Sequence, residues 1–439
     1  MIRFRVGAVL LGAGLVLGAP PSAAGQADSL AAVARSRFRE AVAAERKGAI
    51  AEARDLLIKA HQAWPAQPAY ALAAAELSAR LADTAATATL LNGLADLGAG
   101  RDLRSLEGFN AVRSAPAVVA AEARLRANLA PLVRSDSVAG IPDPEFYPEG
   151  MDYDPDTKSW FVASVRRRTV ARIGPDGRVV DFPRLGPFRL DAVLGVRVDS
   201  RRRILWATTR ALPQMEGYQA TDGKRARVVA FALDDGSLIA AADAPADQAP
   251  HLFGDLVIGS TGVVYLTDSE SPILFRARLA DGRIVVEEVL RHRLFRSLQG
   301  LAFGADETRL YLADYSHGLL LVDLAARSVR ELSSPESVTT LGLDGIARYG
   351  RAIIGIQNGI APPRVVRFAL TADGAAITAA LVIDRHLPIA DEPTIGAVVD
   401  DRFVYVANSQ WEKYADDGSR KTGAVLRPPV LLGIRLDRP

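Results

Sequence analysis

Two patterns of hydrophobic and polar positions divide the chain. From 28 to 132, apolar residues recur at helical spacing in a background rich in Ala, Leu, Arg and Glu, with few β-branched residues and few turn signals. That pattern predicts helices. Gly48 falls where a first helix must end and turn, and Pro65 where a second must stop. Between them Ala53 and Ala60 lie seven residues apart on one helix face with Leu57, so a neighbouring helix can approach closely. Residues 101–131 read as a further helical pair, with Phe109, Val112, Val118 and Leu125 as apolar anchors.

After Pro131, Val, Ile, aromatic residues and Asp-Gly turns take over, and the pattern becomes that of strands. A unit recurs: a strand opening on a small residue, followed by an apolar strand carrying an aromatic. Glu149-Gly150-Met151 precedes Trp160-Phe161-Val162, and Leu194-Gly195-Val196 precedes Leu205-Trp206-Ala207. Gly254-Asp255-Leu256 precedes Val264-Tyr265-Leu266, and Gln299-Gly300-Leu301 precedes Leu310-Tyr311-Leu312. Asp344-Gly345-Ile346 precedes Ile353-Ile354, and Ile395-Gly396-Ala397 precedes Phe403-Val404-Tyr405. The spacing is mostly about 45 residues, the period of a β-propeller with four strands to a blade. The predicted fold is therefore mainly β: a six-bladed β-propeller over 147–439, preceded by a short all-α helical-repeat domain over 28–132 and a linker over 133–146. Val430 to Leu436 is predicted to close the last blade.

The segment from Ser36 to Ala66, with Gly48, Ala53, Leu57, Ala60 and Pro65, resembles a tetratricopeptide repeat. The resemblance implies a small curved array whose groove takes a peptide or protein partner; a helical cap packed on the propeller fits the same residues equally.

Composition narrows the chemistry. There is no cysteine, which excludes disulfides, zinc–thiolate sites, iron–sulfur clusters, thiol nucleophiles and a lipidated N-terminal cysteine. Lys and Arg number 53 against 51 Asp and Glu, a balance without the footprint of a nucleic-acid binder. The triplets Arg166 to Arg168 and Arg201 to Arg203 read as solvated turns. At the N-terminus, Arg3 and Arg5 precede an apolar run from Val6 to Leu17 and then Ser22-Ala23-Ala24. This reads as a cleavable signal peptide over 1–24, too short to span a bilayer comfortably. The expectation is a periplasmic or secreted protein with no stable membrane insertion after cleavage.

Pro148-Glu149-Gly150, Gln299-Gly300-Leu301-Ala302-Phe303 with Leu310-Tyr311-Leu312-Ala313-Asp314, and Leu343-Asp344-Gly345-Ile346 resemble the senescence marker protein-30/gluconolactonase family of six-bladed propellers. The resemblance spans 147–439. It implies a divalent cation, Ca²⁺ first among the hard cations that oxygen ligands suit, at one mouth of the channel, and lactone or ester hydrolysis there. Position by position, Glu149 and Asp344 match family ligands, Gln299 stands where an asparagine is expected, and Gly254 replaces the other asparagine, with Asp255 beside it. Two of four ligands are thus kept, one altered and one missing.

Other residues are candidates for lining a ligand pocket at the mouth: Asn358, Asn408, Trp411 and His317, each just after a predicted second strand. Glu392, before Pro393, adds a carboxylate at the start of the sixth unit. Asp152, Asp154 and Asp156 imitate the start of a calcium loop, but Thr157 replaces the required glycine; they read as a strand end and its turn. No His-Glu-x-x-His, Gly-x-Ser-x-Gly or phosphate-loop motif is present. Two functions fit this inventory. One is a metal-dependent lactone or ester hydrolase with a degenerate site. The other is a non-catalytic module that holds a small molecule or peptide at the propeller mouth, or a protein on the helical repeats.

Overall fold

The computed structural model describes residues 30–437 except Lys224 and Gln248; the predicted signal segment lies outside the described residues. Five helices come first: α1 (Leu30–Arg46), α2 (Ile50–Ala63), α3 (Pro68–Arg80), α4 (Thr84–Asp96) and α5 (Pro116–Ala127), each packed against the next. Gly48 turns α1 into α2 at φ 80°, a left-handed conformation that glycine adopts without steric cost. Helix starts are set by local caps. The Asp83 carboxylate accepts from the Ala86 N–H at 3.0 Å, and prolines open α3 and α5. Ala41, Ala44, Ala53 and Leu57 are buried together with Phe109, Val118 and Leu125; alanine at the contacts brings the helices close.

Twenty-four strands follow. β1 (Ser135–Gly140) precedes blade 1, built from β2 (Pro148–Asp154), β3 (Ser159–Ser164), β4 (Thr169–Ile173) and β5 (Val179–Asp181). Blade 2 holds β6 (Ala192–Asp199), β7 (Ile204–Arg210), β8 (Ala226–Ala232) and β9 (Leu238–Asp243). Blade 3 holds β10 (Phe253–Ile258), β11 (Val264–Asp268), β12 (Ile273–Ala280) and β13 (Arg283–Arg291). Blade 4 holds β14 (Leu298–Phe303), β15 (Arg309–Asp314), β16 (Gly318–Asp323) and β17 (Ser328–Glu331). Blade 5 holds β18 (Leu343–Tyr349), β19 (Ala352–Gln357), β20 (Arg364–Leu370) and β21 (Ile377–Arg385). β22 (Gly396–Val399), β23 (Arg402–Val406) and β24 (Val430–Arg435) make the first three strands of blade 6.

Each blade is a four-stranded antiparallel sheet, and blade 6 has the order β22-β23-β24-β1. The segment read as a linker therefore contributes a strand. β24 is the third strand of its blade, and β1, from before the propeller, is the fourth. Pairing Ser135 with Ile434 and Gly140 with Val430 ties the two ends of the propeller together. The inner strands pack in a closed ring, β2 on β6, β6 on β10, β10 on β14, β14 on β18, β18 on β22 and β22 on β2. Hydrophobic clusters fill the spaces between blades, with Phe161, Phe231, Phe275 and Phe368 among the most deeply buried side chains.

The inner strands meet through glycine. A Cβ on Gly150 would stand 2.4 Å from the Leu194 carbonyl oxygen, and one on Gly300 2.7 Å from that of Asp344. Real side chains never approach so closely, which is why these strands open on small residues.

The helical domain sits on the propeller over blades 4 and 5. The Gly100 N–H donates to the Ala361 carbonyl at 2.8 Å, Leu132 and Arg385 exchange two backbone hydrogen bonds of 2.9 Å, and Ile360 enters the helical core. The Trp64 ring lies 6.3 Å from that of His317. No helix among the described residues is long and apolar enough to cross a membrane.

Candidate functional site

Five of the six inner strands share one irregularity near their start. Pairing slips between Pro148 and Met151, Val193 and Val196, Phe253 and Leu256, Leu298 and Leu301, and Leu343 and Ile346. The residues at the slip are Glu149, Leu194, Gly254 with Asp255, Gln299 and Asp344. A bulge breaks the alternation of a strand and re-aims a side chain. The sequence positions aligned as candidate ligands are thus the positions released from the ladder at one end of the channel.

The structure brings Glu149 and Asp344 into one electrostatic environment, which the Asp255 carboxylate also reaches, although the hydrogen bonds and ion pairs of Asp255 and Gln299 lie elsewhere. The Glu149 carboxyl is raised well above the usual range, by burial first and then by the Asp344 carboxylate; the indole of Trp411 opposes this, donating to Glu149 Oε2 at 2.7 Å. Asp344 is likewise raised by burial, against the Asn358 amide, which donates to its Oδ2 at 2.8 Å. Asn358 also donates to the Pro393 carbonyl at 2.9 Å, and its own Oδ1 is buried with no hydrogen-bond partner among the described residues.

Glu392 joins this cluster from the loop before β22. Its carboxyl is pushed up to about 8, by burial and then by Glu412 and Asp344, although the Glu412 N–H donates to its Oε2 at 2.9 Å. Tyr315, from the loop after β15, is raised by burial, Asp344 and Glu392. Tyr147 stacks on Tyr414 with ring centres 4.8 Å apart and meets Trp411 edge-on at 4.9 Å. Its buried hydroxyl has no partner among the described residues. Tyr147 and Glu392 both hold left-handed backbone, φ 53° and 60°, a conformation that costs of order 1 kcal/mol for such residues.

Asp255 is 1% exposed, and its carboxylate pairs with Arg197 at 3.1 Å and accepts from the Leu256 N–H at 2.8 Å. Burial raises its carboxyl and Arg197 counters this. Asp152, raised by burial and also opposed by Arg197, accepts from the Val198 N–H at 2.8 Å. Asp255 thus belongs to an ion-pair network among blades 1 to 3. Gln299 donates to Ser297 Oγ at 3.1 Å.

Of the pocket candidates, Trp411 and Asn358 contact the carboxylates. Asn408 has both amide atoms on the backbone, donating to the Pro428 carbonyl at 3.1 Å and accepting from the Val430 N–H at 2.9 Å. It holds the ends of a long loop. His317 lies beneath the helical domain, buried against Trp64 with Nδ1 3.6 Å from Asp314. Sequence reasoning missed Tyr147, whose aromatic neighbours come from a loop some 265 residues further on, and Arg197, which looks like an ordinary polar position in an alternating strand.

The donors available to a hard cation are two carboxylates, each with one oxygen anchored by an N–H donor, and the amide oxygen of Asn358. Among the described residues no group of three or more His, Asp or Glu side chains is arranged to hold a metal ion. An ion here would rest on Glu149, Asp344 and the amide oxygen of Asn358, a hard-oxygen set that suits Ca²⁺ in kind.

No protein-family model matches the chain, and no curated protein matches it. Among solved structures it is similar to a luciferin-regenerating enzyme, at 13% identity over 70% of this chain and 96% of that one, with a TM-score of 0.46. A gluconolactonase from Xanthomonas campestris matches at 14% identity over 71% and 92%, TM-score 0.43. A catalytically inactive virginiamycin B lyase from Staphylococcus aureus, with quinupristin, matches at 12% over 67% and 83%, TM-score 0.43. These likenesses are distant; the six-bladed assignment stands on the strand pairing above.

Proposed function

We propose that the channel mouth binds a divalent cation of the calcium type through Glu149 and Asp344, and that the protein hydrolyses a lactone or related ester there. The observation that carries this reading is two buried carboxylates at bulges on blades 1 and 5, one raising the pKa of the other, with an amide oxygen on Asn358 that is buried and has no partner among the described residues. Burial raises both carboxyls, Asp344 adds to the rise of Glu149 and Asp255 to that of Asp344, and a cation relieves these costs at once. Such an ion polarises an ester carbonyl when bound. The chain's own residues supply the rest. Trp411 and Asn358 orient the two carboxylates, and Tyr147 and Tyr414 wall the mouth on the blade 6 side. Glu392, raised to about 8, keeps its proton at neutral pH; it is the group able to hand that proton to the alkoxide oxygen as the acyl C–O bond breaks, and the carboxylate left behind takes up the proton lost by the water that has added to the acyl carbon.

The second reading, a non-catalytic binding module, is favoured by Asp255 being spent on Arg197 and by the longer arm of Gln299. One experiment separates the two. Calorimetry with Ca²⁺ on the intact protein, followed by a lactone panel, is expected to show saturable binding and turnover, both lost in Glu149→Gln/Asp344→Asn. Absence of Ca²⁺ binding in the intact protein overturns the metal reading. Binding without turnover on any lactone leaves the ligand-holding module.

A further inference from the structure

Away from the mouth, a cavity of about 410 Å³ opens where the helical domain meets blade 5, between the loop before β18 and the face of β20 and β21. That volume falls in the range of small-molecule sites, ~300–1,000 Å³. Its walls are mixed: Val338, Ala380 and Val382 are apolar, Ser337, Thr339 and Thr378 bring hydroxyls, and the Asp96 carboxylate, paired with Arg124 at 2.5 Å, also lines it. At its end stands Arg364, 5% exposed.

This guanidinium is held from two sides. Nε donates to Gln357 Oε1 at 2.6 Å, and Nη2 to the Leu97 carbonyl at the end of α4 at 3.0 Å. Gln357 is itself fixed, donating to the carbonyls of Thr339 at 3.0 Å and Leu341 at 2.7 Å. Nη1 lies beside Gly98, where a Cβ would stand only 2.2 Å away, and takes no hydrogen bond among the described residues. No carboxylate pairs with Arg364 among them either. Buried arginines are ordinarily paired, and a cation left without a counter-charge in a desolvated site is costly. Burial first and then Arg385 lower this one to about 10, so it is still charged at neutral pH. The helix end supplies only partial negative charge.

We propose that this interdomain cavity binds a small apolar monocarboxylate, its chain against Ala380 and Val382 and its carboxylate on the open side of the Arg364 guanidinium. Among the described residues Arg364 is the one cationic side chain lining the cavity, which matches a single negative charge rather than a phosphate dianion; Arg385, near enough to lower it, does not line the cavity. Val338, Ala380 and Val382 on the walls match an alkyl or aryl body. The ligand would bridge the domains, because Arg364 already joins Leu97 of the helical domain to Gln357 of blade 5.

The probe is sodium octanoate, titrated by calorimetry and by thermal shift into the intact protein, with octanol and octylammonium as neutral and cationic counterparts. Saturable octanoate binding with a rise in melting temperature is expected, and neither counterpart should bind. Arg364→Gln should weaken octanoate by about tenfold or more, the loss expected of one charge-assisted hydrogen bond. Because that change also loosens the domain contact, Ala380→Trp provides an independent arm. Ala380 is exposed and on the cavity wall, so the indole fills the space and leaves Arg364 in place. Binding unchanged in Ala380→Trp, octanol binding as tightly as octanoate, or no saturable binding in the millimolar range each overturns the proposal.

Discussion

Replacing Gly300 with alanine forces a methyl group into the ring of inner strands. The added Cβ would lie 2.6 Å from the Ile346 nitrogen, 2.7 Å from the Asp344 oxygen and 2.9 Å from the Gly345 Cα. All three are backbone atoms, so no side chain can swing aside; β14 and β18 must move apart by roughly half an ångström or more to restore ordinary contact near 3.4 Å. Overpacking of this kind costs typically ~1–3 kcal/mol. Against it stands the entropy gained when glycine becomes alanine in the unfolded chain, ~0.4–1 kcal/mol. The net expectation is a loss of about 1–2 kcal/mol. For a domain of this size that is a fall in melting temperature of only about 2–4 °C, within reach of differential scanning calorimetry on the intact protein. Gly93→Ala is the matched control. Gly93 lies inside α4 with nothing within 4 Å of its would-be Cβ, so the same substitution should stabilise by ~0.5–1 kcal/mol. Because the Gly300 clash falls on the Asp344 and Gly345 backbone, the variant should also weaken whatever Asp344 binds. A Gly300→Ala protein as stable as the parent would refute the close contact of the inner strands, and with it the ring that aims Glu149 and Asp344 at one mouth.

Three further outcomes can be checked. Arg197→Met leaves Asp255 buried without its counter-ion and should cost ~3–5 kcal/mol, most of it recovered by adding Asp255→Asn; thermal unfolding of the two proteins reads this directly. Trp411→Phe keeps an aromatic ring against Tyr147 but removes the N–H on Glu149, a charge-assisted bond worth ~1.5–3 kcal/mol. Calcium affinity at pH 7 should then fall by about 10- to 100-fold, and by less at pH 9, where Glu149 ionises more readily. Finally, the Glu392 carboxyl has a folded pKa of about 8 against 4.5, so the folded state binds the proton more tightly. Its contribution to stability is fully present below pH 4.5 and is lost as pH rises through about 8; Glu392→Gln should flatten that decline, measured as melting temperature against pH without added cation.

What the chain reveals by pattern and what it conceals differ in physical kind. The blades were legible because their inner and second strands are buried, and burial imposes a repeating apolar and small-residue pattern. The same constraint marked Glu149, Gln299 and Asp344 as candidates, and they do occupy equivalent places at register slips, beside glycines with no room for a side chain. β1 was not legible. Ser135–Gly140 is an outer strand, partly or fully exposed throughout, and its register comes from β24, so nothing in its own residues demands a strand. The state of each candidate side chain was equally hidden. Asp255 sits beside a position matched to a ligand, yet its carboxylate is taken by Arg197, 58 residues earlier in the chain. Asn408 and Asn358 follow equivalent strands, yet one has both amide atoms on backbone and the other keeps an oxygen free. Arg364 gives the sharpest contrast. In sequence it is one arginine among many at the start of a strand, and only the docking of α4 over blade 5 turns it into a buried cation with no carboxylate partner among the described residues, facing a cavity. Sites made within a repeat inherit its pattern, whereas sites made where two domains meet carry no local signature, so the mouth could be read from the chain and the interdomain cavity could not.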